Sequence, residues 1–135
     1  MFWVVLAPLS ACSAAPAVPA PASTANTASA AAASYGQFAA AGKTLFTGHC
    51  AKCHGDNGQG VTAPAIIGAG SNLAKYNTAR GLLNFIEVAM PFDAPGSLSQ
   101  QDYLNLMAFL LVQNNYLAAA TPFDTGQLNG VQLTK

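Results

Sequence analysis

Two cysteines and a histidine lie close together in the run Cys50-Ala51-Lys52-Cys53-His54. Thiols three positions apart can form thioether bonds to the two vinyl groups on one side of a porphyrin, and the next residue then faces the iron. The imidazole of His54 can supply an axial nitrogen from that place. The run therefore predicts one covalently attached haem c, with Cys50 and Cys53 as attachment points and His54 as an iron ligand.

Two other kinds of site use a similar cysteine spacing. A structural zinc site normally has a second pair of ligands, and outside this run the chain offers only His49 and Cys12, which do not form one. A redox dithiol expects a βαβ surrounding, whereas the flanking residues predict a helix and a glycine-rich loop. Zinc and dithiol sites are therefore the weaker alternatives.

The composition suits a small haem domain and argues against nucleic-acid binding. The 135 residues allow one domain, and with five basic and five acidic residues the formal net charge is zero, so no basic patch is expected. Encounters with partners should accordingly depend weakly on salt. Because so small a domain has a limited core, burying a large flat macrocycle would stabilise it.

The beginning of the chain predicts export. Residues 1–12 start with an apolar stretch that is shorter than the roughly 20 residues needed to span a bilayer, and they resemble the end of an export signal. No basic residue precedes this stretch, so we expect the true signal to begin further upstream. The run Leu9-Ser10-Ala11-Cys12 resembles a bacterial lipoprotein box, which makes Cys12 the predicted lipidation site. An ordinary signal peptide with an incidental Cys12 is the alternative. Either way we expect the periplasm or the outer face of the cytoplasmic membrane.

A linker and a folded domain are predicted beyond the signal. Residues 13–34 are almost entirely alanine, proline, serine and threonine, without charge, and such a segment cannot bury enough side chain to fold. We predict a flexible tether there, with a reach of roughly 25 Å as a coil. The haem domain is predicted over 35–116. Residues 117–135 show no clear period, and either wrap the domain or bind a larger complex.

Helices must position the cysteines and the histidine, and the fold class is predicted to be all-α. Capping residues and apolar stripes at helical spacing predict three main helices, with short helical turns around one haem. The first predicted helix is 34–48, with a capping box of Ser34 and Gln37 and its end at Gly48. The second is 78–89 after a cap at Asn77 or Thr78, and the third runs from Ser99 to 114 or 115.

The second axial ligand separates an electron carrier from a gas-binding or catalytic haem. Met90 is the predicted ligand, because Pro91 disfavours the α region at the preceding residue and so leaves Met90 extended just past a helix end. Met107 lies within a helical apolar stripe and is predicted to fill the core. His49 is held at the porphyrin rim by its neighbour Cys50. An open or exchangeable site is the alternative.

Residues 55–67 are predicted to enclose the His54 side of the haem. The glycine-rich run 55–60 should form a tight turn around one porphyrin edge. A carbonyl in the following residues, that of Pro64 first of all, can accept the other ring N–H of His54 and fix its tautomer. Ile66 and Ile67 are predicted to cover the haem face.

These landmarks resemble, in order, those of single-haem class I cytochromes c. They are Gly42, Phe46, Cys50 to Gly55, Ala63-Pro64, Met90-Pro91 and the pair Leu106 and Phe109. The resemblance covers about Ser34 to Asn114. It implies the class I cytochrome c fold, in which Gly42 and Phe46 on the first helix pack against Leu106 and Phe109 on the last. Many relatives have tyrosine at the position of Phe109.

The predicted function is single-electron transfer rather than enzymatic catalysis, because two axial ligands leave the iron no open position for a substrate. A tethered shuttle between membrane-associated redox complexes is the first hypothesis. Residues 90–98 are similar to cytochrome subunits of membrane respiratory complexes, so a fixed haem subunit of a membrane oxidoreductase is the second. A haem sensor or peroxidase-like enzyme is the third. Expected partners are redox proteins, namely a membrane dehydrogenase, a quinol-oxidising complex, an oxidase or a reaction centre, and the membrane through a lipid anchor.

Overall fold

The computed structural model describes residues 32–134, whose regular structure is helical. Four α-helices and two short 3₁₀ helices follow one another in this part of the chain. The α-helices are α1 (Tyr35–His49), α2 (Ala51–His54), α3 (Ala79–Ala89) and α4 (Gln100–Gln113), and the 3₁₀ helices are Leu73–Tyr76 and Thr125–Asn129. The all-α prediction is confirmed. The predicted signal segment 1–12, the predicted lipidation site Cys12 and most of the predicted tether lie outside the described residues.

The starts of the three long helices are set by the predicted caps. At α1 the side-chain Oε1 of Gln37 accepts a hydrogen bond from the Ser34 N–H at 2.8 Å. At α3 the Thr78 hydroxyl accepts from Gly81 N at 3.1 Å, and at α4 Ser99 caps the first turn in the same way. Each cap satisfies an amide that has no partner within its own helix.

The end of α1 differs from the prediction by one residue. Gly48 does not end the helix, which continues to His49. The Cys50 N–H then donates to the carbonyl of Phe46 at 2.8 Å, so the helical hydrogen bonding runs up to the first cysteine. Because α2 begins directly afterwards, the cysteine pair is mounted on the end of a long helix.

Helices α1 and α4 cross at a glycine. A Cβ added at Gly42 would lie 2.0 Å from the Asn105 carbonyl oxygen and 2.8 Å from the Phe109 Cβ, so a larger residue cannot be accommodated. Beside this contact the rings of Phe46 and Phe109 have centroids 5.2 Å apart and are tilted by 42°. This is the helix crossing that the resemblance implies, and phenylalanine in place of tyrosine at 109 does not disturb it.

The segment after α4 wraps the helices. The Phe123 N–H donates to the Ala33 carbonyl at 2.7 Å, and its ring stacks on Phe38 with centroids 3.8 Å apart. Further along, the Leu133 N–H donates to the Asn77 carbonyl at 2.8 Å, and the Leu133 side chain is fully buried. The segment therefore ties the start of α1 to the start of α3.

No helix within residues 32–134 combines the length and apolar character needed to cross a bilayer.

Candidate haem site

A cavity of about 580 Å³ lies between α2, α3, α4 and the loops that join them. Its volume is within the range that protein cofactor sites occupy. The five residues that the sequence singles out all line it: Cys50, Cys53, His54, Pro64 and Met90. The rest of the wall is largely apolar and includes Phe46, Leu73, Leu82, Phe85, Leu106 and Leu110.

Helix α2 places the two thiols and the imidazole on this wall. It has only four residues and is followed by Gly55, whose φ of 83° is one that residues with side chains rarely adopt. A Cβ there would also meet the Gln59 side chain at 2.5 Å. The Gly60 N–H donates to the His54 carbonyl at 2.7 Å, so the glycine-rich turn folds back on α2 and holds its end.

The Cys50 thiol lies in surroundings that disfavour its ionisation. Burial raises its pKa to about 11, and the nearby Cys53 adds to the shift in the same direction. A thiolate is the form that binds zinc or exchanges with disulfides. The surroundings of Cys50 thus disfavour the thiolate form of the free cysteine.

The ring of His54 is fixed by a backbone carbonyl. Its Nδ1 lies 2.8 Å from the Pro64 oxygen, and the side chain is 9% exposed. A carbonyl can only accept, so Nδ1 carries the proton and Nε2 keeps its lone pair for a metal. The contact expected between these two residues is thus present.

The loop that carries Pro64 is held by Asn114, the residue that follows α4 and that the sequence predicts only as a helix end. The Asn114 side chain is fully buried, and its Nδ2 donates to the Ile66 carbonyl at 2.9 Å. Its Oδ1 accepts from the Gly68 N–H at 3.2 Å. A buried amide that bonds to a loop on both sides fixes that loop in one position.

Only one of the two isoleucines expected on the haem face lies there. Ile66 lines the cavity, whereas Ile67 lies on the other side of the loop, in a small pocket beside Phe109. A Cβ at Gly58 would lie 2.7 Å from the Ile67 Cδ1, so this side chain packs over the glycine-rich turn. The prediction for Ile67 is wrong, because the N–H groups of Ile66 and Ile67 both donate to the Gly58 carbonyl, at 2.8 and 3.0 Å, which keeps Ile67 against that turn.

Met90 reaches the cavity from the end of α3. Its backbone is extended, with φ of −128° and ψ of 149°, which is the conformation that Pro91 predicts. Its carbonyl accepts a hydrogen bond from the Tyr103 hydroxyl of α4 at 2.8 Å. Met107 is buried in the core and does not line the cavity, and His49 lies at the rim.

An ion pair joins α2 to the loop after Met90 at the rim. The Lys52 ammonium and the Asp93 carboxylate are in direct contact, although more than half of each side chain is exposed. The hydrogen bond with Asp93 raises the pKa of Lys52, and the same bond lowers the pKa of Asp93. Beside the pair, the ring of Phe92 is 82% exposed.

These residues fit a haem. The cavity offers two thiols three positions apart, an imidazole nitrogen with a free lone pair, a thioether sulfur and a largely apolar wall. An imidazole with a thioether is one of the axial ligand pairs found in cytochromes c.

Two curated proteins and one solved structure are similar to this chain. Thiosulfate dehydrogenase of Stutzerimonas stutzeri is 35% identical over 82 residues, which cover 53% of this chain and 26% of that protein. Thiosulfate dehydrogenase of Psychrobacter arcticus is 35% identical over 80 residues, covering 50% of this chain and 24% of that protein. The chain thus spans about a quarter of the length of these relatives. The sulfane dehydrogenase SoxCD of Paracoccus pantotrophus contains a similar fold, with a TM-score of 0.59 at 21% identity over 88% of this chain and 67% of that one.

The family is shown by the sequence itself. The model of the family described as cytochrome c oxidase, cbb3-type, subunit III matches residues 37–110, which is more than half of the chain. The match includes the run 50–54, Pro64, Met90 and most of α4. This chain therefore belongs to that cytochrome c family and has the class I cytochrome c fold.

Proposed function

We propose that the protein is a single-electron carrier that holds one haem c. Cys50 and Cys53 form the thioether bonds, and His54 and Met90 are the axial ligands. When bound, the haem supplies a one-electron couple between ferric and ferrous iron. The observation that supports this most is that these four residues, which come from α2 and from the end of α3, line one cavity.

The residues of the cavity have distinct roles in this proposal. Pro64 holds His54 in the tautomer that leaves Nε2 free, with 2.8 Å between the carbonyl oxygen and Nδ1. The apolar wall excludes water, and a thioether ligand in such surroundings favours the reduced state over the oxidised one. With both axial positions occupied by side chains, no position remains for a substrate, which is why we favour a carrier over a sensor or a peroxidase-like enzyme.

Partner proteins would approach at the rim. The exposed ring of Phe92 and the mutually neutralising charges of Lys52 and Asp93 form a small contact area there, and Lys75 adds one positive charge to the cavity lining. Such areas suit brief encounters. We propose that the protein shuttles electrons between membrane-associated redox complexes, and that its association rates change little with salt.

The relatives favour a second candidate function for this protein. Both curated relatives are named thiosulfate dehydrogenases, and the matching segment is about a quarter of each. The second candidate is therefore a haem subunit that accepts electrons from a dehydrogenase acting on reduced sulfur compounds. Thiosulfate added to the ferric protein alone should not reduce it, whereas thiosulfate with the cognate dehydrogenase should. A stable stoichiometric complex after mild detergent extraction would favour the fixed subunit over the shuttle.

We further propose export to the periplasm or the outer face of the cytoplasmic membrane, with a lipid on Cys12. The wild-type protein should then fractionate with membranes and incorporate labelled palmitate. Cys12→Ser should lose both properties while keeping its haem. An unlabelled, fully released wild-type protein would contradict the anchor and leave the electron-transfer proposal intact.

Optical spectra of the purified protein test the central proposal. After expression with a working haem maturation system, haem should stay attached under denaturing conditions. The ferric protein should show the long-wavelength band of iron–sulfur ligation, and the reduced protein should bind carbon monoxide slowly and incompletely. A colourless protein would refute the haem site, and rapid complete binding of carbon monoxide would refute the carrier.

A further inference from the structure

The proposed sulfur ligand depends on how the backbone of Met90 is held. The Met90 N–H donates to the Ile86 carbonyl at 3.1 Å, which belongs to the last turn of α3. The following residue is Pro91, which has no N–H to donate. The carbonyl of Met90 is bound by the hydroxyl of Tyr103 at 2.8 Å. This bond connects the candidate ligand residue to a different helix.

The hydrogen bond from Tyr103 to the Met90 carbonyl lies in surroundings where its loss is costly. Tyr103 is 4% exposed and lines the cavity, and its bond to the half-buried Met90 is partly shielded from water. A buried polar group that loses its partner is costly, because water cannot replace that partner. An alternative position of Met90 that pulls its carbonyl away would leave both groups without this bond.

Tyr103 itself stands on a firmly held helix. Its N–H donates to the Ser99 carbonyl at 3.1 Å in the first turn of α4. Further along, α4 is locked against α1 at Gly42, where the backbones approach too closely for any side chain. The hydroxyl is therefore presented to Met90 from a fixed position.

The same helix fixes the other side of the cavity. Asn114 follows Tyr103 by eleven residues, a distance of about 16 Å along a helix axis. It binds the loop of Ile66, next to the carbonyl that orients His54. One helix thus holds the backbone segments that carry both candidate axial sites.

We propose that Tyr103 is a positioning residue for the iron–sulfur bond: its hydroxyl, by holding the Met90 carbonyl, keeps the thioether at the metal and slows its replacement by outside ligands. This inference rests on the proposed function, in which Met90 is an axial ligand. In this inference the hydroxyl oxygen of Tyr103 sets how readily outside ligands reach the iron.

The test replaces Tyr103 by phenylalanine, which removes that oxygen and keeps the ring. In the ferric holoprotein, imidazole can bind only after the sulfur leaves, so its binding rate reports release of Met90. Loss of one hydrogen bond of ordinary strength should raise this rate about three- to tenfold. The long-wavelength iron–sulfur band should weaken, while covalent haem and helix content stay unchanged.

Tyr35→Phe is the matched control. Tyr35 is fully buried and its hydroxyl donates to a backbone carbonyl, that of Asp124, at 3.1 Å, away from the cavity. It should lower the resistance to urea in the same way as Tyr103→Phe but leave the imidazole rate unchanged. An equal acceleration in both variants would mean a general loosening and would overturn the inference.

A double variant separates positioning from packing. In a Met90→Ala background the sulfur is gone, so adding Tyr103→Phe should no longer change the imidazole rate. If the rate still rises, the hydroxyl does not act through Met90. If the Tyr103→Phe variant does not retain haem, the reduced wild-type protein provides the test. Its nuclear magnetic resonance spectrum must then show a slowly exchanging Tyr103 hydroxyl proton with a nuclear Overhauser contact to residue 90.

Failure of this inference differs from failure of the proposed function. A wild-type ferric protein without the iron–sulfur band refutes Met90 as the ligand, and with it the role of Tyr103. A wild-type protein with that band, and a Tyr103→Phe variant with the wild-type imidazole rate, refutes only the role of Tyr103.

Discussion

On the His54 side of the cavity, the thiols, the imidazole and the carbonyl that orients it belong to one short stretch, since His54 and Pro64 are ten residues apart. On the Met90 side, the candidate ligand follows a helix end and is bound by Tyr103 from another helix. The first side is organised largely by local chain geometry and the second by tertiary packing. We therefore expect changes that loosen the fold to open the Met90 side before the His54 side.

Removing each candidate ligand gives the largest predicted effects, and they should differ in kind. In His54→Ala the imidazole is lost from α2, so we expect little or no stable coloured protein. In Met90→Ala the cysteines and His54 remain, so covalent haem should be kept, with a high-spin ferric spectrum and rapid binding of carbon monoxide when reduced. Spectra and haem-stained denaturing gels of both variants check this.

The two ligand variants have a control in a methionine outside the cavity. Met107→Leu keeps a similar volume at a buried position that does not line the site, so its spectrum should match the wild type. An unchanged low-spin spectrum in Met90→Ala would refute the assignment of the Met90 side.

A change at the crossing of α1 and α4 should affect both the His54 side and the Met90 side of the cavity. Gly42→Ala places a Cβ 2.0 Å from the Asn105 carbonyl, so α4 must move, and we expect a loss of about 3 kcal/mol in the free energy of unfolding. Because α4 carries Tyr103 and is followed directly by Asn114, imidazole should also bind faster. Urea titrations of the ferric holoprotein measure the stability.

Gly48→Ala provides the comparison for that variant. Gly48 lies within α1, and a Cβ there would meet nothing within 4 Å. Replacing a helical glycine in open space should stabilise the protein by about 0.5–1 kcal/mol. Equal destabilisation by the two substitutions would contradict the close approach at Gly42.

Much of the fold follows from short-range patterns. The residues Ser34, Thr78 and Ser99 predict the helix starts because a cap acts within one turn of its helix. The extended backbone of Met90 follows from Pro91 for the same reason. The end of α1 at Gly48 was predicted wrongly, since a glycine ends a helix only where the chain turns, and here the helix leads directly into the cysteine run.

The contacts that hold the cavity loops could not be predicted in this way. Tyr103 and Asn114 bind backbone carbonyls, which every residue has, so the sequence carries no mark of the partner. The separation of 48 residues between Asn114 and Ile66 adds to the difficulty. A signal did exist in each residue type: a hydroxyl within an apolar stripe and an amide at its end each need a buried partner.

Asn114→Ala should loosen the His54 side alone. It removes both partners of the loop, leaving the Ile66 carbonyl and the Gly68 N–H unsatisfied, and we expect a loss of about 2 kcal/mol in stability. The rate of imidazole binding should change less than in Tyr103→Phe, because Met90 keeps its anchor. Gln113→Ala, at an exposed neighbouring position, should alter neither quantity. A faster exchange in Asn114→Ala than in Tyr103→Phe would reverse the comparison.

The ion pair between Lys52 and Asp93 connects the two sides at the rim, and its effect should be the smallest, because surface pairs are weak and screened by salt. The pKa of Asp93 is lowered by the hydrogen bond from Lys52, with a further contribution from His49, so its stabilising effect is present above the unfolded pKa of about 4 and is lost as the pH falls through the lower folded value. The pKa of Lys52 is raised, so its effect is present below about pH 10 and is lost as the pH rises through the raised value.

The difference in unfolding free energy between wild type and Asp93→Asn should therefore be constant from about pH 5 to 9 and shrink in more acidic solution. Lys52→Gln should give a similar difference, and high salt should reduce both. A difference that grows in acid or persists at high salt would mean that the pair is not what joins the two sides.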